Sequence, residues 1–335
     1  MNIIIPMAGM GKRMRPHTLT TAKPLIPIAG KPIVQRLVED ILATSNEPIE
    51  EIAFIIGPSF GKEVENHLIK VATDLGATGK IYYQHEALGT AHAILAAQEA
   101  LKGNVFIAFA DTLFKATFSI DTHKDAIVWT QKVADPSAFG VVKLNDQQEI
   151  TAFVEKPTSF VSDLAIIGVY YFKDGENLRK ELQRLIDQNI MQKGEYQITD
   201  AMDHMLKNGL KFYTDQVEEW LDCGNKDATI YTNTRILNIK TGSEQLVAAT
   251  ATLENATIIA PCFIGENVVV RNSVIGPNVS LEAGVVVEDS RISDSIIQAN
   301  SMVKNSVMVN SLLGKHVTYS ETPSQLSIGD FSTQS

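Results

Sequence analysis

Residues 2–24 read "NIIIPMAGMGKRMRPHTLTTAKP". The apolar run at residues 2–6 has the composition of a strand buried on both faces, and a small, basic, glycine-containing turn leaves its C-terminal end. Lys12, Arg13, Arg15 and Lys23 gather positive charge there in a chain whose formal net charge is −10. Glycine lets backbone N–H groups approach phosphate oxygens with no Cβ in the way. Two familiar phosphate motifs fail. The dinucleotide fingerprint needs a third glycine where Met14 stands, and the Walker pattern needs Ser or Thr where Arg13 follows Lys12. What remains is G-x-G-x-R followed by Lys23-Pro24, which offers backbone donors plus fixed cations suited to a triphosphate.

Outward from this turn, apolar β-rich runs alternate with amphipathic stretches. "KPIVQRLVEDILATS" (31–45) places Ile33, Leu37, Val38, Ile41 and Leu42 on one helical face. "EEIAFIIG" (50–57), "KIYYQ" (80–84) and "NVFIAFAD" (104–111) read as strands. "GKEVENHLIKVATDLG" (61–76) and the alanine-rich "GTAHAILAAQEALKG" (89–103) read as helices. This alternation predicts an α/β, Rossmann-like, mostly parallel sheet with helices on both faces. Between about 125 and 172 the runs "DAIVWTQKV", "FGVVKLN", "EITAFVEK" and "LAIIGVYYFK" predict an antiparallel extension.

The texture changes after about residue 245. Ile258, Ile264, Val270, Ile275, Leu281, Val287, Ile292, Ile297, Val303, Met308 and Leu313 recur at steps of five or six. Gly, Asn, Asp and Ser fill the gaps, the mark of a β-solenoid of roughly three to four coils. The domains are accordingly placed at 1–240 and 241–335, with residues 225–245 supplying a helix and linker.

At 335 residues the chain is long enough for two domains. Its acidic balance argues against nucleic-acid binding. Cys223 and Cys262 are too few for a disulfide framework and lack metal-ligand spacing. No apolar run reaches the length of a membrane span or a signal peptide, so a soluble cytoplasmic protein is expected.

Two carboxylates stand where a phosphate-bound cation would need them. Asp111 ends "VFIAFAD" and Asp222 lies in "WLDCG"; Mg²⁺ takes few protein ligands and borrows phosphate oxygens. "VEKP" supplies Glu155 beside the cation Lys156.

With these pieces in order, the chain resembles the sugar-1-phosphate nucleotidylyltransferases, above all the long-form glucose-1-phosphate thymidylyltransferases. "MAGMGKRMRPHTLTTAKPLIPIAGKP" is similar to the family's G-G-x-G-[TS]-R-x-x-P…K-P signature, and "QHEALGTAHA" to its base-recognition loop. "FAD", "FGVV…FVEKP", "DLAIIGVYYF", "GEYQITDAM" and "WLDCG" follow in the family's order, and the solenoid and "QLSIGDFS" resemble the long form's tail. The resemblance implies a left-handed parallel β-helix at the C-terminus. It also implies that Ala8, Gly9 and Gly11 cradle the nucleotide, Arg13 and Lys23 hold the triphosphate, and Gln84 and Gly89 read the pyrimidine edge. By the same resemblance Asp111 and Asp222 hold Mg²⁺, Gly140, Glu155, Gly168 and Glu195 contact the sugar, and Lys156 holds its phosphate. The partners implied are a nucleoside triphosphate and a sugar 1-phosphate, and the chain is expected to form a homo-oligomer through its solenoid. Ala8, Lys12, Ala110, Lys193 and Asn225 depart from the family pattern, but none removes a required charge.

The expected reaction is Mg²⁺-dependent transfer of a nucleoside monophosphate to a sugar 1-phosphate with release of pyrophosphate, dTTP and glucose 1-phosphate being favoured and UTP second. Alternatives are a UTP- or GTP-dependent enzyme for N-acetylglucosamine, glucosamine or mannose 1-phosphate, or a bifunctional enzyme whose solenoid transfers an acyl group. His316, the solenoid's one histidine, argues against the last. His85 and His92 flank the base loop and are read as packed or solvated residues.

Overall fold

The computed structural model describes residues 1–9, 11–115 and 120–322, and the chain divides into two compact units. The first comprises Met1–Ile26 and Lys31–Asn225; the second comprises Pro27–Gly30 with the chain from Lys226 onward. The helix Lys226–Lys240 thus groups with the solenoid. The tail "QLSIGDFS" lies outside the described residues.

The first unit is built on a nine-stranded sheet. Strand Asn2–Pro6 is buried at every position and lies parallel between Glu51–Ile56 and Val105–Ala108. Thr78–Tyr83 continues the parallel half beyond Glu51–Ile56. This half has the all-apolar strands of a sheet covered on both faces, as its composition requires. The extension is antiparallel: Leu164–Phe172 pairs with Val105–Ala108, with Ala126–Lys132 and, at Ala165, with Gly140–Leu144. Ile150–Glu155 forms the outer strand against Gly140–Leu144. Phe212–Gln216 returns parallel to Ala126–Lys132.

Helix Ile33–Thr44 buries Ile33, Leu37, Val38 and Ile41 of the expected face, with Val34 buried beside them, while Leu42 is only half-buried. The alanine-rich stretch behaves differently from the expectation. Its α-helix covers only Thr90–Leu95, and the chain then tightens into i→i−3 turns through Ala97, Gln98, Ala100 and Leu101. Small side chains permit that tightening, and Ala97, Ala100 and Leu101 are fully buried by it.

The second unit carries three parallel sheets, one of five strands and two of four. Successive coils stack Val270 on Val287 on Val303, Ile275 on Ile292 on Met308, and Leu281 on Ile297 on Leu313. All eleven residues of the expected stripe lie in one apolar core, Ile258 and Leu313 at its margin. Three sheets around one such core form the left-handed parallel β-helix that the resemblance implied. Corners turn in the left-handed backbone region at Asn255, Asn272, Asp289 and Asn305. Asn and Asp tolerate that region, which explains why they fill the gaps between apolar steps. Ser290 Oγ donates to Glu288 O and accepts the Ser306 N–H of the next coil at 3.1 Å, so buried backbone at the corners stays paired.

Candidate active site

The parallel strands of the first unit end at a cavity of about 510 Å³, within the range of small-molecule sites. Ala8, Gly9, Gly11, Arg13, Lys23, Gln84, Gly89, Asp111 and Glu195 all line it. Residues expected to seat the nucleotide, with one expected at the metal and one at the sugar, therefore share one space, although they come from five separate segments of sequence.

The glycine turn is shaped by three local constraints. A Cβ on Gly9 would meet nothing within 4 Å, so its backbone faces open cavity. Gly11 has φ 55, and a Cβ there would stand 2.9 Å from Lys23 Cβ; glycine alone satisfies both conditions without strain. Met14, where a dinucleotide fingerprint would have glycine, is buried at 1% exposure and anchors the loop. Thr18 Oγ1 donates to Gly11 O at 2.8 Å, folding the basic segment back on itself.

Lys23 Nζ donates to Asp111 Oδ2 at 2.9 Å. Asp222 reaches the same end because Thr112–Lys115 pairs antiparallel with Glu219–Asp222, matching Asp222 to Thr112, and Cys223 N–H donates to Asp111 O at 2.9 Å. Burial pushes the Asp222 carboxyl above its ordinary value, and the Asp111 charge adds to the rise. The Gly224 backbone N–H, Lys23 and Arg13 pull the other way. A Cβ on Gly224 would fall 2.7 Å from Asp222 Oδ2, so a side chain there would push the carboxylate from its present position. Among the described residues no group of three or more metal-ligating side chains occurs.

At the other end, Gln84 Nε2 lies 3.3 Å from Gly89 O and 3.2 Å from His92 Nδ1. His92, which the sequence presents as a packed or solvated residue, is thus tied to Gln84. Gly89 has φ 110 and ψ 179, and a Cβ there would fall 2.5 Å from Tyr196 O. The close approach is locked by Tyr196 N–H to Leu88 O at 2.8 Å and Ala91 N–H to Tyr196 O at 2.9 Å. Glu195 enters from a two-residue turn at Lys193 and Gly194, both at positive φ, closed by reciprocal bonds between Gln192 and Glu195. The buried Gln197 amide donates to Glu195 Oε2 at 2.9 Å and accepts from Thr90 Oγ1 at 3.1 Å. Sequence reasoning missed Gln197, whose place in "GEYQITD" gives no sign of this link.

Gly140, Glu155, Lys156 and Gly168 do not line the cavity, nor does Asp222. Gly140 leaves room for Glu155, whose Oε2 would be 3.0 Å from an added Cβ and accepts Thr199 Oγ1 at 3.1 Å. Lys156 Nζ stands 3.4 Å from Glu155 Oε1, and Lys156 holds the left-handed conformation at φ 42, uncommon for a side-chain-bearing residue. Gly168 adjoins the cavity through Phe109, whose N–H donates to Gly168 O at 3.0 Å.

The model of the nucleotidyl transferase family matches residues 2–239. The chain is 28% identical to a glucose-1-phosphate thymidylyltransferase of Streptomyces griseus over 99% of its own length and 98% of that protein's. It is 32% identical to a bifunctional protein GlmU of Methanocaldococcus jannaschii, over 62% of this chain and 47% of that one. A nucleoside-diphosphate-sugar pyrophosphorylase structure from Vibrio cholerae superimposes with a TM-score of 0.60 at 20% identity, over 69% of this chain and 99% of that one, and so shares the fold. No helix among the described residues is long and apolar enough to cross a membrane. The family match spans the catalytic sheet from its first strand onward, and full-length similarity extends through the solenoid: the chain belongs to the nucleotidyl transferase family and is a sugar nucleotidyltransferase.

Proposed function

We propose that the chain transfers a nucleoside monophosphate from dTTP, with UTP as second donor, to glucose 1-phosphate, releasing pyrophosphate and forming a nucleoside diphosphate sugar. The observation that carries this reading is the cavity itself. It is lined by an open glycine turn, by Arg13 and Lys23, by Gln84 at its base-reading end and by Glu195. The thymidylyltransferase similarity over the full length supports the choice of substrates.

In this mechanism a phosphate oxygen of the sugar 1-phosphate attacks the α-phosphorus. The new O–P bond forms as the bond to the β-phosphate oxygen breaks, and pyrophosphate leaves with the electron pair. A phosphate monoester is already largely anionic near neutral pH, so no general base is required. The task is to bring two polyanions together in line, which is positioning and electrostatics. Arg13 and Lys23 offset charge on the triphosphate, Lys156 orients the incoming phosphate, and Glu155 and Glu195 hold sugar hydroxyls. Asp111 and Asp222 fit Mg²⁺: they are hard oxygen donors, and a cation would relieve their mutual repulsion, which adds to the burial that raises the Asp222 carboxyl. Bound there with phosphate oxygens completing its shell, Mg²⁺ would supply charge neutralisation at the triphosphate.

The test is a matrix of dTTP, UTP and GTP against glucose, N-acetylglucosamine, glucosamine and mannose 1-phosphates with Mg²⁺, scored by pyrophosphate release. The reading expects dTTP with glucose 1-phosphate to lead. Activity with GTP alone would overturn the base assignment. Acyl transfer by the solenoid has little support, since His316 is exposed at a left-handed corner.

A further inference from the structure

We infer that His92 is a specificity-determining positioning residue, which fixes the Gln84 side-chain amide so that only its carbonyl oxygen is offered to the nucleobase. The inference rests on the reading of this cavity as the nucleotide site and narrows its substrate class. Bases with an imino N–H, uracil and thymine, are accepted, and cytosine is refused.

The geometry determines the amide's orientation. Gly89 O can only accept, so the edge of Gln84 that faces it at 3.3 Å must be the NH₂ group. An amide nitrogen has no free lone pair to accept with. His92 Nδ1, 3.2 Å from the same nitrogen, must therefore be the acceptor, with the imidazole neutral and its proton on Nε2. Two hydrogens meet two acceptors, and the amide's donor capacity is exhausted within the protein. Among the described residues no donor meets Gln84 Oε1, while Gln84, Gly89 and Thr90 together line the cavity. A carbonyl oxygen is what this side chain has left to present.

Uracil and thymine carry N3–H, a donor that this oxygen can accept. Cytosine carries an N3 lone pair and would set acceptor against acceptor. Rotating the amide to suit cytosine would turn Oε1 onto Gly89 O, a fixed acceptor, and would require the His92 proton to move from Nε2 to Nδ1. The discrimination is thus built from a repulsive element as well as an attractive one. A Gln84 without the histidine would keep only the 3.3 Å contact to Gly89 O, and its amide could turn more readily.

The experiment compares kcat/KM for UTP with that for CTP, at saturating sugar 1-phosphate and Mg²⁺, in the full chain and in His92→Phe and His92→Gln. Both nucleotides see the same enzyme population, so partial unfolding of a variant leaves the ratio untouched. The unaltered chain is expected to favour UTP by about 10² or more. Phenylalanine, which cannot accept, should lower the ratio at least about tenfold, and glutamine, whose side-chain oxygen can accept, should restore most of it. An unchanged ratio in His92→Phe overturns the inference while leaving the nucleotide site standing. If the unaltered chain uses neither pyrimidine nucleotide but turns over a purine one, the base reading of Gln84 itself fails and carries the inference with it.

Discussion

The Lys23 ammonium donates to the Asp111 carboxylate at 2.9 Å, with the lysine side chain only 8% exposed and the aspartate 42%. A cation so thoroughly removed from water has to be paired, and here its partner sits at the mouth of the cavity that Lys23 lines. Lys23→Met keeps the bulk and removes the charge. The loss of a fixed cation should lower kcat/KM at least about 10². Stability should fall by only about 1 kcal/mol, because solvent can rehydrate the half-exposed Asp111. Arg13→Ala and Lys156→Ala, both at exposed cations, should lose at least about 10² in rate with no change in urea midpoint. Near-normal turnover in any of the three would remove that residue from the mechanism.

Asp222 should trade stability for function. Burial, followed by the Asp111 charge, raises its carboxyl above the ordinary value, so the fold favours the protonated form. The stability contributed by that proton is fully present below the unfolded carboxylate value, near 3.9, and is lost as pH rises through the higher folded value. Asp222→Asn, which can still accept from the Gly224 N–H, should therefore raise the melting temperature of the metal-free chain more at pH 7 than at pH 4. Activity should disappear. An equal shift at the two pH values would show that the carboxylate is not strained by its surroundings.

Gln197 bridges the start of helix Thr90–Leu95 and the turn at Lys193 and Gly194, donating to Glu195 and accepting from Thr90. Gln197→Glu replaces that donor with a second carboxylate beside Glu195. Two like charges at this distance resist joint ionisation. The KM for sugar 1-phosphate should rise on the order of tenfold between pH 5.5 and pH 8 in the variant, beyond any change in the parent. If the two pH profiles coincide, Gln197 merely fills space.

Gly89 combines φ 110 with a backbone contact that leaves no room for a Cβ. Gly89→Ala should cost about 1–3 kcal/mol in chemical denaturation, with a matching loss of nucleotide affinity as the Leu88–Tyr196 stitching opens. Parent-like stability would mean that the segment relaxes freely.

Much of this was readable from short-range pattern. The strand at Asn2–Pro6, the helix stripe of Ile33–Ile41 and the solenoid steps each depend on neighbours a few residues away, and local periodicity records them. What sequence could not display are relationships made by long closure. Asp222 comes beside Asp111 only because a two-stranded ladder joins segments about a hundred residues apart. The link from His92 to Gln84 depends on how a six-residue helix meets the end of a strand, and a histidine reads the same whether packed, solvated or bonded. Propensity favours helix along the whole alanine-rich run, while packing decides where α geometry stops. Lys156 at φ 42 is likewise invisible to propensity, which counts against lysine in that conformation.

The proposed reaction requires one cavity to join a nucleoside triphosphate to a sugar phosphate. The most direct measurement follows dTTP labelled at the α-phosphorus, with glucose 1-phosphate and Mg²⁺, and quantifies both labelled products and pyrophosphate. One pyrophosphate should be released for each label transferred to a sugar-linked nucleotide, dependent on the sugar phosphate and lost in Arg13→Ala. Label that stays in free nucleotide, with pyrophosphate release indifferent to the sugar phosphate, would contradict it.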